Sequence, residues 1–417
     1  MSRVSAGARK GANGVKGVDR RAMSVLSGGH LFTDVNQGAV AALLPLLVAE
    51  RGISLAAAGT LLLAATISSS VVQPLFGYFS DGRSLPALMP LGLLAAGVGI
   101  SLVGVVPGYP LILACIVLSG IGVAAFHPEA ARFANYVSGS RRATGMSFFS
   151  VGGNAGFALG PVLATPAVLA FGMPGTLLLF LPAAVMSAVM FLELSRLRAF
   201  RPALGNGPEA ALSAEDSGEK REEWRPFTVM VGVVTARSVL YFGLVLLVAQ
   251  YYTVVLGESV AVGNAALSVM LFSGAVGTLA AGPLADRFGR RTILAASMIV
   301  LGPLLVAFTY SGTVLGFVVI ALTGAAIIGT FGTTVVMGQE YLPARIGLAA
   351  GITMGFSIGL GGLASPLLGA VADGAGVRGA LLAMAVLPVV GLVMTLTLPR
   401  SGDTGERLRK EPRKKRA

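Results

Sequence analysis

Two ionisable side chains four residues apart, His30 and Asp34, lie in an apolar stretch that would suit a lipid bilayer. An i, i+4 spacing places both on one face of a helix. An ionisable group inside a membrane helix is costly and is a functional candidate by default, and a histidine beside it can relay protons. We therefore expect Asp34 to be a proton-coupling carboxylate and His30 to be its relay partner. A helix-end histidine that only hydrogen-bonds a neighbour is the alternative for His30.

An arginine is predicted at a matching depth in the second half of the chain. Asp34 and Arg237 each lie about 15 Å into their predicted helices, near the middle of a hydrocarbon core about 30 Å thick. We expect Arg237 to be an anion-binding or gating charge that faces the same cavity as Asp34. The alternative is a static Asp34–Arg237 ion pair that holds the two halves together. Neutral candidates for the cavity lining, for which interhelical hydrogen bonds are the alternative, are Asn36, Gln37 and Asn154.

A histidine, a proline and a glutamate crowd together in AFHPEAAR, residues 125–132. Glu129 lies about 28 Å along the predicted fourth helix, close to the cytoplasmic surface, and Arg132 is its i, i+3 neighbour. Glu340 occupies the corresponding end of the tenth apolar segment. We predict salt bridges of a cytoplasmic gate here and place His127 with the gate residues, although it has no evident partner motif. With two histidines and one cysteine in the chain, we expect no metal site.

The helices that position these residues follow from composition. The 417 residues are 54% hydrophobic and 12% charged, with a mean hydropathy of +0.81, whereas about a quarter of the residues of a soluble domain are charged. Long apolar stretches recur along the chain, and each is a candidate membrane helix. We predict an all-α polytopic membrane protein with twelve transmembrane helices, near residues 24–48, 55–80, 86–106, 110–133, 142–170, 174–194, 226–255, 261–285, 291–311, 313–340, 345–372 and 377–398.

The basic residues that give the chain its net charge of +12 are predicted to lie on one side of the membrane. All Lys and Arg residues except Arg51, Arg237 and Arg378 fall in segments predicted on the same side, so the positive-inside rule places both termini in the cytoplasm. The basic ends then favour anionic lipid, and no folded module accompanies the charge to indicate nucleic-acid binding. The polar first 21 residues predict no cleaved signal peptide.

The two halves of the chain resemble each other at an offset of 205 residues. GYFSDGR (77–83) aligns with GPLADRF (282–288), and GGNAGFALGP (152–161) aligns with SIGLGGLASP (357–366). Duplicated six-helix bundles are implied, with a substrate site near the midplane between them. The predicted divisions are a basic tail (1–23), a first bundle (24–194), a cytoplasmic linker (195–225), a second bundle (226–398) and a basic tail (399–417).

Glycines recur every four residues in both copies of the second repeat. A dinucleotide-binding loop would need a soluble βαβ unit, whereas this spacing lines one face of a membrane helix with small residues and lets backbones approach closely. Pro161 can bend its helix. The predicted packing glycines are Gly152, Gly156 and Gly160 in the first half and Gly351, Gly355 and Gly359 in the second.

The stretch GPLADRFGRR (282–291) resembles the Gly-x-x-x-Asp-Arg-x-Gly-Arg-Arg motif of the major facilitator superfamily. The first-half copy, GYFSDGRSLP, lacks the second glycine and the paired basic residues. The resemblance implies two pseudo-symmetric six-helix bundles and a latch on the cytoplasmic gate. Its residues here are Gly77, Asp81 and Arg83 in the first copy and Gly282, Asp286, Arg287, Gly289, Arg290 and Arg291 in the second.

Within that superfamily, GHLFTDVNQGAVAALLPLL (29–47), AFHPEAAR and SFFSVGGNAGFALGP (147–161) resemble the fosmidomycin resistance family of bacterial efflux proteins. This implies a protein of the bacterial cytoplasmic membrane that exports a small antimicrobial or related polar compound against protons, without a cofactor and as a monomer. Uptake of a small metabolite is the alternative, and a non-transporting receptor or scaffold is a further one. No catalytic set or nucleotide-binding loop indicates an enzyme.

Overall fold

A computed structural model describes residues 17–73, 75–76, 85–139, 142–200, 222–342, 349, 352–353 and 357–399. These residues form helices joined by short connections, and the described part of the chain contains no strand. Several predicted residues lie outside it: Gly77, Asp81, Arg83, Gly351 and Gly355. The centre of the predicted linker, residues 201–221, lies outside it as well.

The first half of the described chain contains six helices. Asp19 caps the first of them by accepting a hydrogen bond from the Ala22 N–H at 2.8 Å, and Gly52, with φ 62°, ends it. Ser54 caps the second helix in the same way, through the Ala57 N–H at 3.1 Å. The six helices are α1 (Arg20–Arg51), α2 (Leu55–Thr66, continued by a π-helical turn at Ile67–Val71), α3 (Leu88–Leu102), α4 (Tyr109–Val137), α5 (Arg142–Phe171) and α6 (Phe180–Arg198, preceded by a 3-10 turn at Met173–Leu179).

The second half repeats the arrangement within the described residues. Gly289, with φ 88°, turns the chain directly from the eighth helix into the ninth, a backbone conformation that favours glycine. Gly376, with φ 77°, separates the last two helices. The helices are α7 (Trp224–Gln250, continued by a π-helical turn at Tyr251–Val255), α8 (Val260–Phe288), α9 (Arg290–Tyr310), α10 (Thr313–Tyr341, interrupted at Thr330), α11 (357–375) and α12 (377–396).

Nine stretches of the described chain are long and apolar enough to cross a membrane, and the last of them, Gly359–Leu396, contains both α11 and α12. The two shorter apolar helices, Leu55–Val71 and Leu88–Leu102, are α2 and α3. The predicted all-α fold is therefore confirmed. Several helices extend beyond their predicted limits, since α1 begins four residues earlier and α4 ends four residues later.

Hydrogen bonds at the helix ends show how the two halves are oriented. In the first half, the Asp19 N–H at the start of α1 donates to the Val137 carbonyl at the end of α4 (2.9 Å). In the second half, the Glu223 N–H before α7 donates to the Tyr341 carbonyl at the end of α10 (2.8 Å). Both sets of ends lie on the side that carries the α8–α9 turn with Arg290. We call this side the basic face, and the other side the opposite face.

The closest helix pair in the first half is α1 and α5, which meet through glycine. A Cβ atom on Gly152 would come within 2.5 Å of the Ser27 carbonyl oxygen, and one on Gly156 within 2.0 Å of the Leu31 carbonyl oxygen. A Cβ on Gly160 would come within 2.3 Å of the Gly38 carbonyl carbon. No side chain fits at these positions, so the glycine spacing fixes the distance between the two backbones. Pro161 lies inside α5, which remains helical through it.

Of the predicted second-half glycines, only Gly359 lies among the described residues. A Cβ on Gly359 would make only an ordinary contact, 3.4 Å from Val71 Cγ2. The close approaches in α11 are instead at Gly361 against Ser238 of α7, and at Gly362 and Gly369, both of which face α2. Gly361, which the 205-residue offset aligns with Gly156, keeps the contact within its own half, whereas Gly362 and Gly369 pack on a helix of the other half.

Candidate functional site

The two histidines of the chain and Asp34 meet in one cluster. His30 Nε2 lies 3.3 Å from Asp34 Oδ2, His127 Nε2 lies 3.3 Å from Asp34 Oδ1, and the two Nε2 atoms are 3.2 Å apart. Both His30 and Asp34 retain only 9% of their exposure. The predicted pair on α1 is therefore joined by a third ionisable side chain, from α4.

The position of His127 corrects its predicted assignment to the gate. His30 lies ten residues after the start of α1 and His127 ten residues before the end of α4, so each is about 15 Å from the basic face. The predicted fourth helix ended at residue 133, four residues short, and this placed His127 too close to the surface. Because α1 and α4 pack side by side, the equal depths bring the two imidazoles together.

Backbone carbonyls orient both imidazoles. His30 Nδ1 lies 2.8 Å from the Phe149 carbonyl oxygen of α5, and His127 Nδ1 lies 2.9 Å from the Val123 carbonyl oxygen one turn earlier in α4. The Phe149 ring stacks on His30 with centroids 4.1 Å apart. A Cβ on Gly153 would come within 2.4 Å of His30 Nε2 and 2.7 Å of Asp34 Oδ2, so only glycine lets α5 cover the cluster.

Two imidazoles and one carboxylate are also ligand types that transition metals accept. Within the described chain, His30, Asp34 and His127 are the only group of three such residues whose ligand atoms lie within 4.8 Å of one another. The group lacks the fourth protein ligand of a closed structural zinc site. The prediction that the chain carries no metal site stays a prediction.

Arg237 lies at the depth of Asp34 but in the other half. It is thirteen residues into α7, and Asp34 is fourteen residues into α1, about 20 Å from the basic face in both cases. Its Nη1 donates to the Ile327 carbonyl oxygen at 3.0 Å, and its guanidinium lies 5.3 Å from the Phe331 ring centroid. Both contacts are to α10, so Asp34 and Arg237 do not form an ion pair in this structure. Arg237 is 5% exposed, and its Nε has no hydrogen-bond partner among the described residues.

The three neutral candidates for the cavity lining differ in their surroundings. Asn36 is 1% exposed, and its amide donates to the Phe32 carbonyl of its own helix at 2.8 Å, so it does not face open space. Gln37 is half-buried. Asn154 is exposed, as is Ser150 one turn earlier on α5. A polar exposed face inside a membrane helix suits a water-filled cavity, which favours Asn154 over Asn36 as a lining residue.

At the basic face, ion pairs hold each half together. Glu129 is fully buried and pairs with Arg132 at 3.1 Å, while Glu340 pairs with Arg290 of the α8–α9 turn. Arg291 Nε donates to the Thr395 carbonyl at the end of α12 (3.3 Å). Glu129 lies eight residues from the end of α4, whereas Glu340 is next to the end of α10, so the two glutamates are not at equal depth.

The remaining motif residues surround a cleft at the basic face. Gly282, Asp286 and Arg290 line it together with residues of α10, and Arg287 stacks near Phe288, 5.2 Å from its ring centroid. Asp286 is exposed and makes no hydrogen bond to a described residue. Most of residues 343–356, which precede α11 in the sequence, lie outside the described chain.

The hydrogen bonds between the halves, among the described residues, lie towards the opposite face, and sequence reasoning missed them. The Leu55 and Ala56 N–H groups at the start of α2 each donate to the Asp373 carboxylate at 2.9 Å. The Asn264 amide of α8 donates to the Ala42 carbonyl at 3.0 Å and to the Thr165 hydroxyl at 2.8 Å. At the basic face, by contrast, each hydrogen bond or ion pair between described residues joins residues of one half. The described part of the chain therefore joins its two halves by hydrogen bonds near the opposite face.

A helical membrane protein with duplicated bundles and a buried ionisable centre is built like a secondary transporter. The chain matches the family model described as Major Facilitator Superfamily over residues 26–353 and again over residues 229–417. The chain belongs to this superfamily. Its members are transporters and not enzymes, and the chain is a multi-pass membrane protein.

Two curated relatives cover almost the whole chain. The "Uncharacterized MFS-type transporter YfnC" of Bacillus subtilis (strain 168) is 32% identical over 378 residues, which are 88% of this chain and 90% of that protein. The "Fosmidomycin resistance protein" of Escherichia coli (strain K12) is 30% identical over 384 residues, which are 90% of this chain and 92% of that protein. The resemblance seen in the sequence is thereby confirmed.

Solved structures support the fold. The inward open conformation of the xylose transporter XylE from E. coli superposes with a TM-score of 0.70 at 15% identity, covering 93% of this chain and 98% of that chain. A bacterial homologue of the human lysosomal transporter Spinster, inward-facing and occupied, gives a TM-score of 0.70 at 15% identity, covering 92% and 97%. At this identity the likeness concerns the fold alone.

Proposed function

We propose that the chain is a proton-coupled secondary transporter that exports a small polar or anionic compound, of the kind represented by fosmidomycin, by alternating access. The observation that carries the proposal is the pair of buried ionisable centres at equal depth, an acidic one with two histidines in the first half and a cationic one in the second. Such residues are costly in a membrane and mark ion and substrate pathways.

The two centres divide the work of an antiporter. Asp34 alternates between a proton-bound and a proton-free state, and His30 relays the proton. Arg237, with a guanidinium Nε that has no hydrogen-bond partner in the described part of the chain, offers charge and hydrogen-bond donors to an anionic group of the substrate. Antiport requires that the protein carries the proton and the substrate in alternate steps, with Asp34 holding the proton in one step and Arg237 holding the anionic group of the substrate in the next.

The resistance protein of E. coli, at 30% identity, supports export and an antimicrobial-type substrate. The charge distribution supports a location in the bacterial cytoplasmic membrane, with the basic face and both termini towards the cytoplasm. The transporter works as a monomer surrounded by lipid. The gate at the basic face includes Glu129, Arg132, Arg290 and Glu340, and the closure at the opposite face separates the site from the outside.

Everted membrane vesicles under an imposed pH gradient test this function. A panel of phosphonates and other antimicrobial compounds is added, and one compound is expected to dissipate the gradient in vesicles with the wild-type chain. Asp34→Asn should abolish the response, whereas Asp19→Asn, on the same helix, keeps a residue that caps helices equally well and should retain it. Dissipation that is equal in Asp34→Asn vesicles contradicts the coupling role. Substrate movement in the other direction favours uptake instead.

A further inference from the structure

We propose that the His30–Asp34–His127 cluster holds one shared proton in the conformation whose halves are joined near the opposite face, and that His127 is a proton-coupling residue. The inference rests on the proposed function, because it specifies how the coupling ion is bound. It follows from where hydrogen atoms must lie in the cluster.

The backbone determines which ring nitrogens carry hydrogen. A carbonyl oxygen can only accept a hydrogen bond, so a nitrogen that faces one must be protonated. His30 Nδ1 faces the Phe149 carbonyl at 2.8 Å, and His127 Nδ1 faces the Val123 carbonyl at 2.9 Å. In a neutral imidazole the other nitrogen is then a bare acceptor. Both Nε2 atoms would therefore point into the cluster without a hydrogen.

Without a further hydrogen, the cluster would contain only acceptors. The Nε2 atoms are 3.2 Å apart, and each is 3.3 Å from an oxygen of Asp34. No donor satisfies Asp34 Oδ1 at ordinary hydrogen-bond geometry among the described residues. Lone pairs at these distances repel one another and the carboxylate. One proton on an Nε2 atom replaces this repulsion with a hydrogen bond and an ion pair.

Charge balance leads to the same count. An ionised Asp34 beside one protonated and one neutral imidazole gives a net charge of zero, whereas an unprotonated cluster would bury an uncompensated negative charge. The groups around it offer no other compensation. Phe126 stacks on His30 from α4, α5 presents Gly153 and the Phe149 carbonyl, and Tyr241 of α7, which interacts electrostatically with Asp34, carries no positive charge.

Exposure indicates how the proton exchanges. The His127 side chain is 20% exposed, compared with 11% for His30 and 12% for Asp34. Because Gly153 covers the His30 side of the cluster, His127 is the more open route between the shared proton and water. His127 thus adds a member to the coupling site that its place in the sequence did not reveal.

Nitrogen NMR tests the proton count without a transport assay. The chain has only two histidines, so ¹⁵N-histidine labelling of the full chain in lipid nanodiscs reports on this cluster alone. At neutral pH we expect both Nδ1 atoms to be protonated and one further hydrogen on, or shared between, the two Nε2 atoms. Asp34→Asn should lose that hydrogen and leave two neutral rings. His127→Gln leaves the charge of Asp34 to be compensated by His30 alone, so the one remaining ring should carry hydrogen on both nitrogens.

Two results would overturn the inference. One is a pair of neutral rings with hydrogen on Nε2. The other is a pair of bare Nε2 atoms, with or without a stoichiometric transition metal detected by mass spectrometry of the same sample; a metal would then be the bound cation. A shared hydrogen in this experiment, combined with unchanged pH gradients in the vesicle assay, would refute the proposed function and the coupling role of His127, and would leave only the shared proton of the cluster standing.

Discussion

His127 of α4 lies with its Nε2 3.3 Å from Asp34 Oδ1 of α1, so that the coupling candidate of the first helix is completed by the fourth. The contact depends on helix depth, because both side chains must lie far from the basic face to meet. It also depends on α5, which places a glycine where any larger residue would push the cluster apart.

Gly153→Ala tests that requirement. The added methyl group would lie 2.4 Å from His30 Nε2 and 2.7 Å from Asp34 Oδ2, so the cluster must move. We expect a destabilisation of about 1–3 kcal/mol from overpacking, together with a loss of proton-coupled transport. Thermal unfolding and vesicle transport measure the two effects. Gly332→Ala, where nothing lies within 4 Å of the new methyl group, is the control, and equal transport in both variants would contradict the geometry.

Arg237→Gln tests the cationic centre. The substitution removes the charge from a site whose donors we assign to an anionic substrate, so the apparent affinity for anionic compounds should fall by about tenfold or more, the cost of a lost charged hydrogen bond. Compounds without an anionic group should lose much less. Arg237→Lys keeps the charge but loses the planar fork and the stacking on Phe331. Its affinity for anionic compounds should lie between that of the wild-type chain and that of Arg237→Gln. The exposed Arg378, changed to Gln, is the control; parallel losses for neutral and anionic compounds would contradict the assignment.

Asp373→Ala tests the closure at the opposite face. It removes the acceptor of two N–H groups at the start of α2, and a charge at a helix N-terminus contributes about 0.3–1 kcal/mol. The population open at this face should therefore rise by up to about fivefold. Spin labels at Ile53→Cys and Ala375→Cys, in a Cys115→Ser background, report the distance between the two halves.

The matched control for that measurement is Asp19→Ala. Asp19 also caps a helix, but at the basic face and within one half. This variant should leave the distance distribution unchanged. A distribution that shifts equally in both variants would indicate general loosening rather than a latch.

The Arg290–Glu340 pair is suited to a double-mutant cycle. Its side chains are 27% and 53% exposed, so a coupling energy of only about 0.2–1 kcal/mol is expected. Arg290→Gln and Glu340→Gln should each lower the free energy of unfolding, and the double variant should be less destabilised than their sum. Strictly additive effects would show that the pair contributes nothing to the gate.

The sequence predicted the helices because membrane spans are long and apolar, and it predicted a close-packing face on α5 because small residues recur once per turn, but it did not identify α1 as the partner of that face. It also placed Asp34 and Arg237 at equal depth. The depth of His127 was missed because it depends on where the helices end. Polar residues extend both helices beyond their apolar cores, so that α1 begins at Arg20, with Asp19 as its cap, and α4 ends at Val137.

Contacts between distant segments could not be predicted in the same way. Asp373 stands in a short acidic and glycine-rich stretch, and nothing there indicates that its partners are the first N–H groups of α2. Asn264 likewise gives no sequence signal for the Ala42 carbonyl. Both contacts arise from the packing of one half on the other, which a pattern along one helix does not encode.

The most direct test of the account is the number of protons moved per substrate in proteoliposomes that contain a trapped pH-sensitive dye. The wild-type chain should move protons in the direction opposite to the substrate, and the number of protons moved per substrate molecule should be the same at every substrate concentration. Asp34→Asn should move no protons in response to substrate. Wild-type proton movement in Asp34→Asn liposomes, at the same ratio, would contradict the claim that this carboxylate couples transport to protons.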